Sequence, residues 1–256
     1  MHSLAESDAA LALTILRGVH IASTQRASYL QTESMIQFLR ACVNLEQLEL
    51  RGEGLDGESD MHDPDAIYAP ANFDLPKLTL LSVLHAPFSP ILQAFARAEL
   101  ASLCAMTITI HADYAMTSDA SRILNAHSSK LTTLTFSPGE AWPSTTTHTP
   151  ESILDMCSQL RYLSLATIPD SLSPPTIPSP LVILSIPRPT MEFLNRVVEP
   201  LMPSLREVRI REVRYLSKAM GMGAAKAGSS AIILEWRRRL SRRGVIVLDA
   251  VGRSGP

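Results

Sequence analysis

Cys157-Ser-Gln-Leu160-Arg-Tyr-Leu163-Ser-Leu165 carries the pattern that orders the rest of the chain: a leucine, two residues, an aliphatic, one residue, an aliphatic. The same spacing recurs at Leu45/Leu48/Leu50, Leu78/Leu81/Val83, Leu103/Met106/Ile108, Leu131/Leu134/Phe136, Leu181/Leu184/Ile186 and Leu205/Val208/Ile210. A degenerate copy precedes them at Leu16/Val19/Ile21, and Val245 with Val247 reads as a closing strand. Alternation of apolar and polar positions at the end of each copy predicts a short strand with one buried face. The middle, outward residues are His20, Glu49, Ser82, Thr107, Thr135, Ser164, Ser185 and Arg209, all polar in a chain that is 46% hydrophobic.

Successive copies start roughly 21 to 33 residues apart, near the period at which leucine-rich repeats stack into a solenoid. The expected fold is therefore α/β, with a parallel concave sheet and helices or irregular turns on the convex side. If the strands lie side by side, Glu49, Ser82, Thr107, Thr135, Ser164, Ser185 and Arg209 form a column on the open face. Gln47, Thr133, Tyr162, Glu207 and Arg211 flank it. One departure concerns the position eight residues after each first leucine, commonly Asn or Cys in such repeats. Here it is Glu53, Ala86, His111, Gly139, Ile168, Pro189 and Val213, so the backbone leaving each strand needs other hydrogen-bond partners.

Helical spacing fills the intervals between strands. Ile36, Leu39 and Val43 follow Thr32 and Ser34 as alternative caps, and Thr149-Pro150 reads as a helix start before Ile153, Leu154 and Cys157. Thr190 before Phe193, Leu194 and Val197, and Ser118 before Ile123 and Leu124, repeat the arrangement. A single irregular repeat domain over 1–256 is expected, with an acidic loop over 52–72, Pro/Thr-rich loops over 137–150 and 167–180, and a C-terminal helix and closing strand over 229–250. The two Pro/Thr-rich loops read as connectors; the alternative puts them at the sheet's edges, enlarging the binding face with Trp142 as an anchor. Net charge is −2, unevenly spread. Six acids and no lysine or arginine fall between Glu53 and Asp65, whereas arginines cluster beyond Leu205. In Trp236-Arg-Arg-Arg-Leu240-Ser-Arg-Arg-Gly244 these read as solvated cations in the last turns of a helix, with Ile232, Ile233, Trp236 and Leu240 buried and Gly244 as the stop.

Chemistry is sparse. Gly221, Gly223, Lys226, Gly228 and Ser229 only superficially resemble a phosphate loop, because Ser229 stands where the lysine is required. His85, His111 and Asp113 read as surface residues more than as a metal site, and no nucleophile has a recognisable triad. No enzyme activity and no cofactor are expected, and neither nucleic acid nor membrane is expected as a partner. Cys42, Cys104 and Cys157 are odd in number and far apart. Cys42 and Cys157 each stand three residues before a first leucine and read as buried thiols, which suits a reducing compartment, cytoplasmic or nuclear.

Cys42-Val-Asn-Leu45-Glu-Gln-Leu48-Glu-Leu50, the Cys157 segment and the ending Trp236-Arg-Arg-Arg-Leu240-Ser-Arg-Arg-Gly244-Val-Ile-Val247 resemble the repeat region of F-box proteins of mushroom-forming fungi. The resemblance runs roughly from Leu16 to Leu248. It implies repeats that capture a substrate for a cullin-type ubiquitin ligase, joined through an F-box helix bundle to the ligase's linker protein. Met1 is followed almost at once by repeat-like sequence with no F-box, so a repeat fragment or truncated product is expected, and the linker protein is a partner only if an F-box lies upstream. The expected function is protein interaction with an unidentified partner or ubiquitination substrate through the polar column. The alternative is a free-standing repeat protein with a structural or self-associating role.

Overall fold

The computed structural model describes residues 15–23, 29–52, 74–85, 90–112, 118–138, 148–212 and 229–254. Every predicted repeat yields a strand. In order these are β1 Gly18–Ser23, β2 Gln47–Gly52, β3 Leu80–Leu84, β4 Ala105–Ile108, β5 Thr133–Phe136, β6 Tyr162–Ser164, β7 Ile183–Ile186, β8 Glu207–Ile210 and β9 Ile246–Leu248. The chain divides into two units, Met1–Leu131 with Gly139–Thr147, and Thr132–Pro138 with His148–Pro256. Within the first, β1 to β4 pair in parallel in chain order. Within the second, β5 to β9 do the same. The architecture is an α/β arrangement of leucine-rich-repeat type, as the spacing predicts.

Six of the strands, β2 to β6 and β8, are entered through the same turn. The N–H of Leu45 donates to the Cys42 carbonyl at 3.0 Å, and Leu78, Leu103, Leu131, Leu160 and Leu205 donate likewise to the residue three positions earlier. That earlier residue is Cys42, Leu75, Leu100, Ser128, Cys157 or Met202, buried every time. The two cysteines thus hold one structural position, as their spacing implies. At β7 the Leu181 N–H donates instead to the Ser179 hydroxyl at 3.4 Å.

The residue after each first leucine then joins neighbouring repeats. The Glu46 carbonyl accepts two N–H groups, from Thr79 at 2.9 Å and Leu80 at 3.1 Å. Thr79, Thr132, Arg161 and Val182 each accept a corresponding pair from the following strand's entrance, as Arg17 does from Glu46 and Gln47. These shared carbonyls position the next strand before its ladder begins.

Helices fill the predicted intervals, with revisions at their starts. Helix α1 spans Tyr29–Ala41 and places Ile36 and Leu39 in the core; Thr32 and Ser34 fall within its span and not at its start. Helix α2 is Pro90–Arg97. Helix α3, Asp119–His127, begins as expected, with the Ser118 hydroxyl accepting from Ser121 N–H at 3.1 Å. Thr149-Pro150 does not begin a helix: a turn from Pro150 leads into the single-turn α4, Ile153–Met156, after Ser152. The Thr149 hydroxyl is buried with no hydrogen-bond partner among the described residues.

Helix α5 runs through Met191–Phe193, a wide π-type turn over Leu194–Val198, and Glu199–Leu201. Thr190 caps it, accepting from Phe193 N–H at 3.2 Å. The widening precedes Pro200, which has no N–H to offer and whose ring would collide with the carbonyl four residues back in a regular α-helix. Helix α6, Ser229–Ser241, buries Ile233, Trp236 and Leu240. It stops at Gly244, whose φ of +71° is left-handed. Val245 N–H reaches back to Leu240 at 3.0 Å and Gly244 N–H to Ser241 at 3.0 Å, the paired bonds of a glycine C-cap.

The arginines of α6 are not uniformly solvated, contrary to the sequence reading. Arg239 is paired with both carboxylate oxygens of Glu199 and donates to Asn195 Oδ1 at 2.7 Å. Arg243 donates to the Met202 carbonyl at 2.7 Å and to Val198 and Glu199, capping the end of α5. A planar fork fits a carboxylate or a set of helix-end carbonyls. Among the described residues no helix is long and apolar enough to cross a membrane.

Candidate functional site

In the first unit the outward positions meet in register, His20 opposite Glu49, Glu49 opposite Ser82, and Ser82 opposite Thr107. His20 Nδ1 lies 3.0 Å from Glu49 Oε1. Around them is a shallow hollow of about 290 Å³, lined by Gly18, His20, Gln47, Glu49, Leu80 and Ser82 among others. Its polar groups come from three successive strands because period-two alternation sends the leucines between them inward.

The second unit has its own row, Thr135 opposite Ser164, Ser164 opposite Ser185, and Ser185 opposite Arg209. A parallel row two residues earlier pairs Thr133, Tyr162, Ile183, Glu207 and Ile246 in turn. The column expected from sequence thus exists as two in-register series, one in each unit. Its hydroxyls are less open than expected: Ser164 and Ser185 are each 2% exposed and Ser82 is 9% exposed.

An arginine side chain lies against Ser164. Arg211, just past β8, donates from Nη1 to Ser164 Oγ at 3.0 Å and from Nη2 to the Leu165 carbonyl. Its side chain therefore spans from β8 to β6, across the line of β7. The same contact supplies a partner for backbone leaving β6, where the repeat lacks an Asn. Main-chain bonds do this elsewhere, Thr109 N–H to Val83 at 3.0 Å and Arg211 N–H to Ile186 at 2.9 Å. Burial lowers the Arg211 pKa, and the charges of Tyr162 and Glu212 oppose that shift. Arg209 also reaches toward β6, its guanidinium carbon 5.9 Å from the Tyr162 ring centre, while its Nε–H pairs with Glu207. Tyr162, Glu207 and Arg211, flanking residues in the sequence reading, thus carry much of the accessible chemistry of this face.

The other candidates separate from these faces. His85 follows β3 with a left-handed φ of 53° and His111 follows β4, both half-buried; Asp113 lies outside the described residues. Among the described residues no group of three or more His, Cys, Asp or Glu is placed to hold a metal ion. The glycine-rich residues 221–228, the acidic stretch 53–65 and Trp142 also fall outside them. Loop 167–180 is described, and it is fastened to the segment preceding β6: Ser173 N–H donates to Glu151 O at 2.8 Å, and Thr176 donates through N–H and hydroxyl to Asp155 Oδ1. Those Thr176 bonds hold the Asp155 carboxyl below its usual range. All three cysteines are free. Burial pushes the Cys157 thiol up to about 12 and raises that of Cys42 as well, and both pack in the core beneath the strand entrances.

One titratable core residue escapes sequence reading because its position in α3 looks like an exposed last turn. His127 is 3% exposed, with Nε2 2.9 Å from the Phe95 carbonyl and Nδ1 buried without a hydrogen-bond partner among the described residues. Burial lowers its pKa below the ordinary 6.5; the bond to Phe95 works against this, and nearby Lys130 reinforces it. The unfolded chain therefore takes up the proton more readily. The stabilisation is complete above about pH 6.5 and is lost progressively as pH falls through the ordinary value toward the lowered one. Urea midpoints at pH 8 and pH 5.5 are expected to fall more for the wild-type chain than for His127→Gln; equal falls would contradict the assignment.

No family model, curated protein or solved structure matches this chain.

Proposed function

We propose that the chain is a protein-interaction module that contacts its partner through the outward faces of its strands. The observation that carries this reading is the register of the outward positions: polar side chains, contributed one per strand, meet their counterparts on the next strand in both units. In a parallel sheet of stacked repeats the outward position of each strand can vary without disturbing the core, which suits it to recognition. The resemblance of the Cys42, Cys157 and Trp236 segments to F-box repeats supports a narrower reading, substrate capture for a ubiquitin ligase. Three free cysteines, two of them buried, suit a cytoplasmic or nuclear setting.

Affinity capture tests the module. The immobilised wild-type chain is expected to retain a defined set of proteins that is lost when Glu49, Thr135 and Arg209 are replaced together by alanine. An unchanged set would sink the face as the contact surface. An in-frame F-box-coding exon upstream of Met1 would support the ligase reading, and ligase subunits in the captured set would support it further.

A further inference from the structure

The two arginines at the end of β8 lean the same way. Arg209 lies over the Tyr162 ring and Arg211 is held by Ser164 and Leu165, so both cross β7 toward β6. This arrangement fixes two guanidinium planes on one strip of the second unit's face. Among the described residues, hydrogen bonding engages Arg209 only through Nε–H, to Glu207. Its two Nη groups, the end of the fork that grips a carboxylate with two parallel bonds, are uncommitted. Glu212, the other carboxylate close by, is taken by Arg188 at 2.7 Å.

Apolar surface continues the strip. Ile183 is half-buried, and Ile246 is 54% exposed in register with Glu207. Tyr and Arg are the residue types that most often dominate binding energy when held rigidly at an interface. From β6 to β9 is three strand spacings, about 14 Å, which an extended segment of four or five residues covers.

We propose that the outward face of the second unit binds an extended acidic peptide. One aspartate or glutamate carboxylate sits on the Nη fork of Arg209 beside Arg211, and a neighbouring aliphatic or aromatic side chain lies on Tyr162, Ile183 and Ile246. This rests on the interaction reading and narrows it: the charge of the strip selects against basic segments, which would meet two fixed cations.

The test is selection of a random twelve-residue peptide display library on the full chain, followed by affinity measurement on the recovered peptides by fluorescence polarisation. Recovered sequences are expected to combine acidic with aliphatic or aromatic residues. Their affinity is expected to fall at least about tenfold in Arg209→Glu and to fall clearly in Arg209→Lys, which keeps the charge but loses the fork. Arg196→Glu, the same charge change on exposed α5, is expected to leave affinity within about twofold after screening by 0.15 M salt. Arg209 is 46% exposed, so its substitution does not disturb the core, and circular dichroism verifies the fold of each variant. Recovery of basic or neutral peptides, or affinity equal in wild type and Arg209→Glu, overturns the inference and leaves the interaction reading intact. No enrichment above the display background overturns both.

Discussion

Replacing Trp236 with alanine is expected to destabilise the second unit by about 3–5 kcal/mol, the range for removing a large aromatic from a packed core. The ring is fully buried, lies 6.5 Å from the Phe193 ring at an interplanar angle of 16°, and donates its indole N–H to the Thr190 carbonyl at 3.1 Å. Thr190 is also the residue whose hydroxyl caps α5. One side chain on α6 therefore holds the start of the preceding helix, and its removal leaves a cavity and a carbonyl without its partner. Trp236→Phe keeps most of the ring and separates the two contributions, with about 1 kcal/mol expected for the lost hydrogen bond beyond the small change in volume. Urea denaturation followed by circular dichroism measures both. A loss below 1 kcal/mol for the alanine variant would falsify the view that this contact fastens α6.

Leu163→Ala is expected to cost about 2–5 kcal/mol, because its site cannot collapse. Leu163 is fully buried on β6, in register with Leu134 on β5 and Leu184 on β7, both also fully buried. Strands on either side fix its walls. Val247 on β9 has the equivalent inward position, but among the described residues its in-register strand neighbour is Val208 on one side, and it retains 4% exposure. Val247→Ala is expected to cost less, about 1–2 kcal/mol, partly because fewer carbons are removed and partly because fewer described strand neighbours hold the walls of the gap in place. Equal losses for the two variants would mean that the stack transmits no support from neighbour to neighbour.

The inward residues were legible in the sequence because the alternation that hides Leu163 and Leu165 while turning Ser164 outward is a local property of the strand. Stacking direction followed from the period, since a repeat that cannot bury its own apolar side needs a similar neighbour. Helix starts were legible where a hydroxyl alone decides them, as at Ser118 and Thr190. They were misread at Thr149, where a turn from Pro150 comes first and the helix begins after Ser152, and at Thr32, which falls within α1. The face was only half legible: register placed the column, but sequence has no means of showing that Arg211 would reach across two strands to cover Ser164. Long side chains act at distances that spacing rules do not encode. The same reason hid the capping of α5 by Arg243, some forty residues along the chain, and the burial of His127, whose surroundings come from α2 as well as its own helix.

The shared carbonyls at the strand entrances have a consequence for how such a chain changes over time. Because Glu46, Thr79, Thr132, Arg161 and Val182 each seat the start of the following strand, alignment is set where a strand begins and not by the number of residues spent getting there. Between those seats a connector can gain or lose residues without shifting any side chain from inside to outside. Insertions and deletions are thereby decoupled from the register, and the uneven spacing of the leucines is the trace that such a history would leave.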